Sequence, residues 1–194
     1  MAQVRTTHPI LSVAWDMLTH THMSVLKLFF LYALPLSVLP PVMIHYAGVT
    51  YGGGLLPALS EVQLQLIAVV FFFAEVAMTF LVAYIIQQLA EWVDKKPPYE
   101  DAYKLAVLVP TPLWFAPLFL FIPSFMFNLT VGAAAMVLSG VLIYYCTPAM
   151  LKVEEKGHAM LLSGSILAAG MVAWAVMMYL TLLSWSWISA SPML

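Results

Sequence analysis

The sequence has few charged residues: Asp, Glu, Lys and Arg make up 8% of its 194 positions, whereas 63% of the positions are hydrophobic. Soluble domains carry roughly 25% charged residues, so this composition argues against an ordinary water-soluble fold. None of the four charged residue types occurs between Lys27 and Glu61, between Lys104 and Lys152, or after Lys156. Uncharged stretches of this length predict membrane-spanning helices.

Cysteine is nearly absent as well. The single Cys146 cannot form an intramolecular disulfide or build a thiolate metal site. A net charge of −2 gives no electrostatic basis for binding nucleic acid. No cleavable signal peptide is expected, because a small-residue cleavage pattern is lacking near the first apolar run. The sequence shows no nucleophile elbow, phosphate-binding loop or metal-ligand pair at helical spacing, so we expect neither an enzyme nor a cofactor.

Apolar runs long enough to cross a bilayer predict an all-α, polytopic transmembrane bundle of five spans within residues 25–194. The fourth and fifth spans are rich in Gly and Ala, so we expect them to pack closely on each other or on a second copy of the chain. Residues 122–129 are expected to form a short connection. The predicted spans cover residues 26–47, 62–89, 102–121, 130–149 and 158–183.

Residues 1–24 are predicted to form a cytoplasmic amphipathic segment. Within it, residues 9–23 predict a short interfacial helix, because Ile10 and Met17 share one helical face and Trp15 suits the headgroup region. An irregular tail is the alternative.

The positions of the basic residues predict an orientation. With five spans, the amino-terminal segment, residues 90–104 and residues 150–158 share one side of the membrane. All seven Lys and Arg residues lie on that side. The positive-inside rule therefore predicts a cytoplasmic amino terminus and an external carboxyl terminus.

Several short segments resemble those of one membrane protein family. Residues 94–99 read DKKPPY, residues 102–106 read AYKLA, residues 109–112 read VPTP, and the fourth span ends in Tyr144-Tyr145 before a charged loop. In these features the sequence resembles the Yip family (Ypt-interacting-protein-like membrane proteins), in its small bacterial branch. The resemblance implies five spans, a cytoplasmic amino terminus and an inner-membrane location.

Glu75 is placed near the middle of the second predicted span, where a charged carboxylate costs at least a few kcal/mol. A proton- or cation-linked site is one interpretation, and a neutral carboxylic acid that fixes helix packing is the other. Thr79 follows one turn later and could join a polar stripe. His45, near the outer end of the first span, could ligate a metal or relay protons, or simply be solvated.

Prolines are expected to bend or break two spans, because proline removes a backbone donor. Broken helices are tolerated in a membrane only where protein or water satisfies the freed groups, so these kinks and Glu75 could meet at one cavity. The kinks fall at Pro40 and Pro41 in the first span, and at Pro110, Thr111 and Pro112 in the third.

Charged residues near the end of the second span suggest a cytoplasmic docking patch, or a solvated loop with weak ion pairs. Two functions remain open. The first is a scaffold or adaptor that contacts the lipid bilayer and forms homo-oligomers or binds other membrane proteins. The alternative is a small transporter or channel for an ion or small solute, built around Glu75 and the kinked spans. The patch residues are Glu91, Asp94, Lys95, Lys96 and Lys104.

Overall fold

A computed structural model describes residues 24–52 and 59–190, and the regular elements of these residues are all helical. Five helical segments are long and apolar enough to cross a membrane, which confirms the predicted all-α transmembrane bundle. The predicted amino-terminal interfacial helix lies outside the described residues. The segments, numbered below as the first to fifth spans, are Val25–Tyr51, Glu61–Glu91, Tyr99–Phe121, Phe125–Met150 and Lys156–Ile188.

The first span is not one regular α-helix. Pro40 and Pro41 have no backbone N–H, so carbonyl groups one turn earlier lose their helical donors, and the helix is interrupted at Val38. The interruption predicted from these prolines is therefore present. The pieces are an α-helix Val25–Leu28, a π-helical turn Phe29–Ala33, and α-helices Leu34–Ser37 and Leu39–Tyr51.

The third span changes helix type along its length. Pro110 lies at the first break, with a ψ of 1°. Pro112 lies in the first turn of the next helix, where a missing N–H costs no helical hydrogen bond. The irregularity predicted for this span is also present. Its pieces are the α-helices Tyr99–Leu108 and Thr111–Phe115 and the 3-10 helix Ala116–Phe121.

The second, fourth and fifth spans are continuous helices, the last of them running over Lys156–Ser189. Ser60 and Gln63 form a reciprocal capping box at the start of the second helix. Ser124 caps the fourth helix by accepting a hydrogen bond from Phe127 N at 3.4 Å. The prediction that residues 122–129 form a connection is wrong in its extent, because this cap starts the helix at Phe125.

Two loops end their preceding helices in the same way. After the second span, Asp94 has a φ of 55°, and the N–H of the next residue donates to Ala90 O at 3.0 Å. After the fourth span, Lys152 has a φ of 54°, and the next N–H donates to Pro148 O at 3.0 Å. Both are Schellman-type caps, in which one left-handed residue lets helix carbonyl groups be satisfied. Backbone hydrogen bonds therefore fix both loops.

The best-packed part of the bundle lies at the end that holds these loops. The fourth and fifth spans bury few of their side chains, as expected for helices with faces that contact lipid. The buried apolar side chains at the packed end come from all five spans and from both loops, and include Leu28, Ala90, Val93, Ala102, Tyr103, Cys146, Leu151, Val153 and Leu162.

Glycines mark the contact between the fourth and fifth spans. A Cβ atom added to Gly140 would lie 3.7 Å from Leu167 Cδ1 of the fifth span. A Cβ atom added to Gly164 would lie 3.6 Å from the Tyr144 hydroxyl of the fourth span. Small residues therefore let these two helices approach closely, which is one of the two outcomes expected from their composition.

Candidate functional site

Glu75 of the second span is hydrogen-bonded to the third span. Its Oε1 atom accepts a hydrogen bond from Trp114 Nε1 at 2.6 Å, and Trp114 is only 3% exposed. The second carboxyl oxygen, Oε2, is buried and has no hydrogen-bond partner among residues 24–52 and 59–190. A carboxyl group inside a membrane is costly unless it is protonated, paired or bound, so this oxygen indicates where chemistry is possible.

Tyr32 and Thr111 form a second polar contact beside the first. Tyr32 Oη lies 2.7 Å from Thr111 Oγ1. Thr111 Oγ1 donates its one hydroxyl hydrogen to Leu108 O at 2.6 Å, so Tyr32 is the donor in its contact with Thr111. The rings of Tyr32 and Trp114 pack edge to face with centroids 6.3 Å apart. We call Tyr32, Glu75, Thr111 and Trp114 the three-span cluster.

The three-span cluster lies where two spans are irregular. Tyr32 belongs to the π-helical turn of the first span, and Thr111 directly follows the break at Pro110. π-helical turns and broken helices are frequent at functional sites, because they redirect side chains and release backbone carbonyl groups. The structure thus brings Glu75 together with the third-span kink that includes Pro112. In chemical terms, the cluster can fix helix positions, hold a proton, or help to bind a cation.

Two cavities lie away from Glu75. One of about 10 Å³ lies between the second and fifth spans, beside Phe71 and Met177. The other, of about 200 Å³, lies near Gly48 and Glu61, where the first span ends and the second begins. Neither cavity is lined by Glu75 or by the kink prolines. Glu75 therefore meets Trp114 at a packed helix contact, apart from these two cavities.

The remaining candidate residues of the first two spans make no described hydrogen bond to the cluster. Pro40 and Pro41 are buried in the first span beyond its interruption at Val38. Thr79 is buried and donates its hydroxyl hydrogen to Val76 O of its own helix at 2.8 Å. This bond lies within the second span and does not include the three-span cluster.

His45 Nε2 is buried and has no hydrogen-bond partner within the described parts of the chain. No group of three or more His, Cys, Asp or Glu side chains that could hold a metal ion occurs among residues 24–52 and 59–190. His45 is therefore not part of such a group within these ranges.

The residues of the predicted docking patch differ in exposure. Lys104 is 7% exposed and pairs with Asp101 Oδ1 at 3.4 Å, so it is not part of an open surface. Trp92, which the sequence analysis did not single out, is 72% exposed beside the other patch residues. The other four patch residues are exposed or partly exposed: Glu91, Asp94, Lys95 and Lys96.

Sequence reasoning missed Tyr32 and Trp114, the two aromatic members of the three-span cluster. Both lie well inside predicted spans, whereas Tyr and Trp in membrane proteins concentrate at the interfaces. A buried Tyr hydroxyl or Trp indole N–H usually finds a hydrogen-bond partner. Their positions were therefore an available signal for a polar contact inside the bundle.

The helices and their exposed apolar faces define an integral membrane protein with five spans. A family model described as the Yip1 domain matches residues 6–177. Because the match extends over most of the sequence, the chain belongs to the Yip1 domain family, in agreement with the resemblance noted above. Comparisons with curated proteins and with solved structures gave no match.

Proposed function

We propose that the chain is a non-enzymatic scaffold or adaptor of a bacterial inner membrane, where it engages other membrane components or a second copy of itself. The observation that carries this proposal is the hydrogen bond from Trp114 to Glu75. This bond uses a carboxyl group deep in the membrane to join two spans at a packed contact. A scaffold needs helices held in fixed positions, and such a contact supplies that.

The proposed orientation places the amino terminus in the cytoplasm and the carboxyl terminus outside. Its support is the distribution of cations, because the described lysines lie at one end of the bundle: at Lys27, in or beside the loops at 92–98 and 151–155, and at Lys104 in the first part of the third span. Glu61, at the opposite end, is not accompanied by a described Lys or Arg. Cytoplasmic loops carry this excess of basic residues in most membrane proteins.

The loop that follows the second span is the proposed contact surface for a cytoplasmic partner. Its Schellman-type cap at Asp94 fixes the backbone, so a partner would meet a preformed surface. Trp92 offers a large exposed aromatic side chain next to Glu91 and Lys96. At protein interfaces a few side chains supply most of the binding energy, and exposed aromatic residues flanked by charges are typical of these side chains.

Site-specific cross-linking in cells tests the adaptor proposal. A photoreactive phenylalanine analogue is placed at Trp92 in one strain and at Val137, exposed midway along the fourth span, in another. We expect discrete protein adducts from position 92 that are lost when Asp94→Lys and Lys96→Glu are added. Adducts that persist unchanged in this charge-swapped variant, or their absence at position 92, would contradict the proposal. Position 137 reports contacts made within the bilayer.

The location of Glu75 favours a second candidate, a small transporter or channel for an ion or small solute. Tyr32 and Thr111 place irregular pieces of the first and third spans beside this carboxyl group. Discontinuous helices next to a buried carboxylate occur in transporters, where they bind substrate or coupling ions near the bilayer midplane. Measuring flux separates this candidate from the scaffold, as described at the end of the Discussion.

A further inference from the structure

Ser37 of the first span is buried with two oxygen atoms that lack hydrogen-bond donors. Its side chain is 0% exposed, and its Oγ atom has no partner among residues 24–52 and 59–190. Its carbonyl oxygen also lacks a helical donor, because neither Pro40 nor Pro41 has an N–H group. The next N–H, that of Val42, donates to Val38 O at 3.2 Å. Buried polar atoms are normally satisfied, so these two oxygens are available to a ligand.

The unpartnered oxygens of Ser37 lie at the same depth as Glu75 Oε2. The first and second spans run antiparallel, and Gly48 packs against the side chain of Leu64. Ser37 lies eleven residues before Gly48, and Glu75 lies eleven residues after Leu64. Both residues are therefore about 16 Å from that contact along the helix axes.

The same helices surround both sets of oxygens. The piece Leu34–Ser37 packs against the second span, which carries Glu75, and against the helix Thr111–Phe115, which carries Trp114. Ser37 is fully buried, so its side chain does not face lipid. Depth and helix packing therefore place Ser37 at the same junction of spans as the three-span cluster.

Glu75 has no described protein cation to balance its charge. Among residues 24–52 and 59–190, no Lys, Arg or His side chain forms an ion pair with it. Its hydrogen bond from Trp114 satisfies Oε1 but leaves Oε2 open. A carboxyl group at this depth must be protonated, paired or bound to a cation, and the described side chains do not supply the pair.

We propose that Glu75 Oε2, Ser37 Oγ and the Ser37 carbonyl oxygen bind a monovalent cation such as Na⁺. One carboxylate and two neutral oxygens carry a single negative charge, which one monovalent cation neutralises. Interrupted membrane helices supply carbonyl oxygens to Na⁺ in the same manner. The bound cation would tie the first span to the contact between Glu75 and Trp114. The site is compatible with the proposed scaffold and does not require flux, since a cation can be bound without being moved.

Direct binding of ²²Na⁺ to the purified full-length chain in detergent micelles tests the site, with choline chloride keeping ionic strength constant. We expect saturable binding that unlabelled Na⁺ displaces. Glu75→Gln removes the charge but keeps an acceptor for Trp114, and Ser37→Ala removes one neutral ligand. Each change is expected to weaken binding by at least about tenfold, as loss of a metal-site partner commonly does.

Ser139→Ala is the matched control, because Ser139 Oγ is also buried without a partner among the described residues but belongs to the fourth span. Its binding should equal that of the parent. An absence of saturable binding in the parent would overturn the proposal. Equal binding by the parent and Ser37→Ala, with circular dichroism showing both folded, would overturn it too. Cross-linking from position 92 tests the adaptor and flux tests transport, so the outcome of the binding experiment decides neither of them.

Discussion

Trp114 and Glu75 connect the third span to the second through a hydrogen bond of 2.6 Å within the membrane-spanning region. Both residues come from spans that hydropathy alone identifies, yet their contact depends on how the third span is broken after Pro110. The break starts a new short helix, and this helix places the indole against the carboxyl group. An irregular helix therefore creates a specific polar contact between spans.

Replacing Trp114 by Phe should destabilise the protein by about 1–3 kcal/mol, because it leaves Glu75 Oε1 buried without its donor. The free energy of unfolding can be measured by titration with sodium dodecyl sulfate in mixed micelles. Trp92→Phe is the control, since Trp92 is 72% exposed and should tolerate the change. Equal stabilities of the two variants would mean that the hydrogen bond does not stabilise the fold.

Replacing Gly164 by Leu should lower the thermal stability of the bundle through overpacking, which costs about 1–3 kcal/mol. A Cβ atom at this position already meets the Tyr144 hydroxyl at 3.6 Å, so a longer side chain must displace the Tyr144 side chain or the fourth span. Gly170 lies on the same helix, and a Cβ atom added there would meet no described atom within 4 Å. Gly170→Leu is therefore the control for the change in helix propensity. A Gly164→Leu variant as stable as Gly170→Leu would argue against close packing here.

Replacing Lys152 by Gly should stabilise the protein by about 1 kcal/mol, because a left-handed backbone conformation disfavours residues with a Cβ atom. Lys152 has a φ of 54° in the cap after the fourth span. The midpoint of thermal unfolding in micelles is the measurement. Glu154→Gly, in the same loop, should give no such gain. A loss of stability in Lys152→Gly would show that its side chain contributes more than the backbone conformation costs.

Topology reporters test the proposed orientation. A reporter that is active only outside the cytoplasm should be active after the carboxyl terminus and silent when inserted in the loop at 151–155. Lys152 and Lys156 lie in and beside this loop, and the positive-inside rule therefore predicts that the loop faces the cytoplasm. A silent reporter at the carboxyl terminus, with a cytoplasmic reporter active there, would reverse the orientation.

The sequence predicted the five spans closely, because an apolar run of sufficient length is set by bilayer thickness alone. It also located the kinks, since proline acts on its own helix. The length of the third-to-fourth connection was predicted wrongly. Ser124 caps a helix that already includes Asn128, and Asn128 Nδ2 donates to Ser124 O at 2.9 Å.

The partners of the candidate site could not be read from the sequence. Glu75 was singled out because a carboxyl group is rare at this depth, but its contact with Trp114 depends on the rotation of two helices about their axes. Lys104 was grouped with exposed charges, but it is buried and pairs with Asp101 one turn earlier on the same helix. Composition and spacing do not determine such side-chain contacts between or along packed helices.

The central claim is that Glu75 holds spans together in a scaffold and does not serve a transport path. Flux of ²²Na⁺ into proteoliposomes that contain the purified parent or Glu75→Gln tests this claim most directly, with protein-free liposomes as the baseline. The account predicts baseline flux for both proteins. Flux above the baseline in the parent that is abolished in Glu75→Gln would contradict the scaffold and establish the transporter.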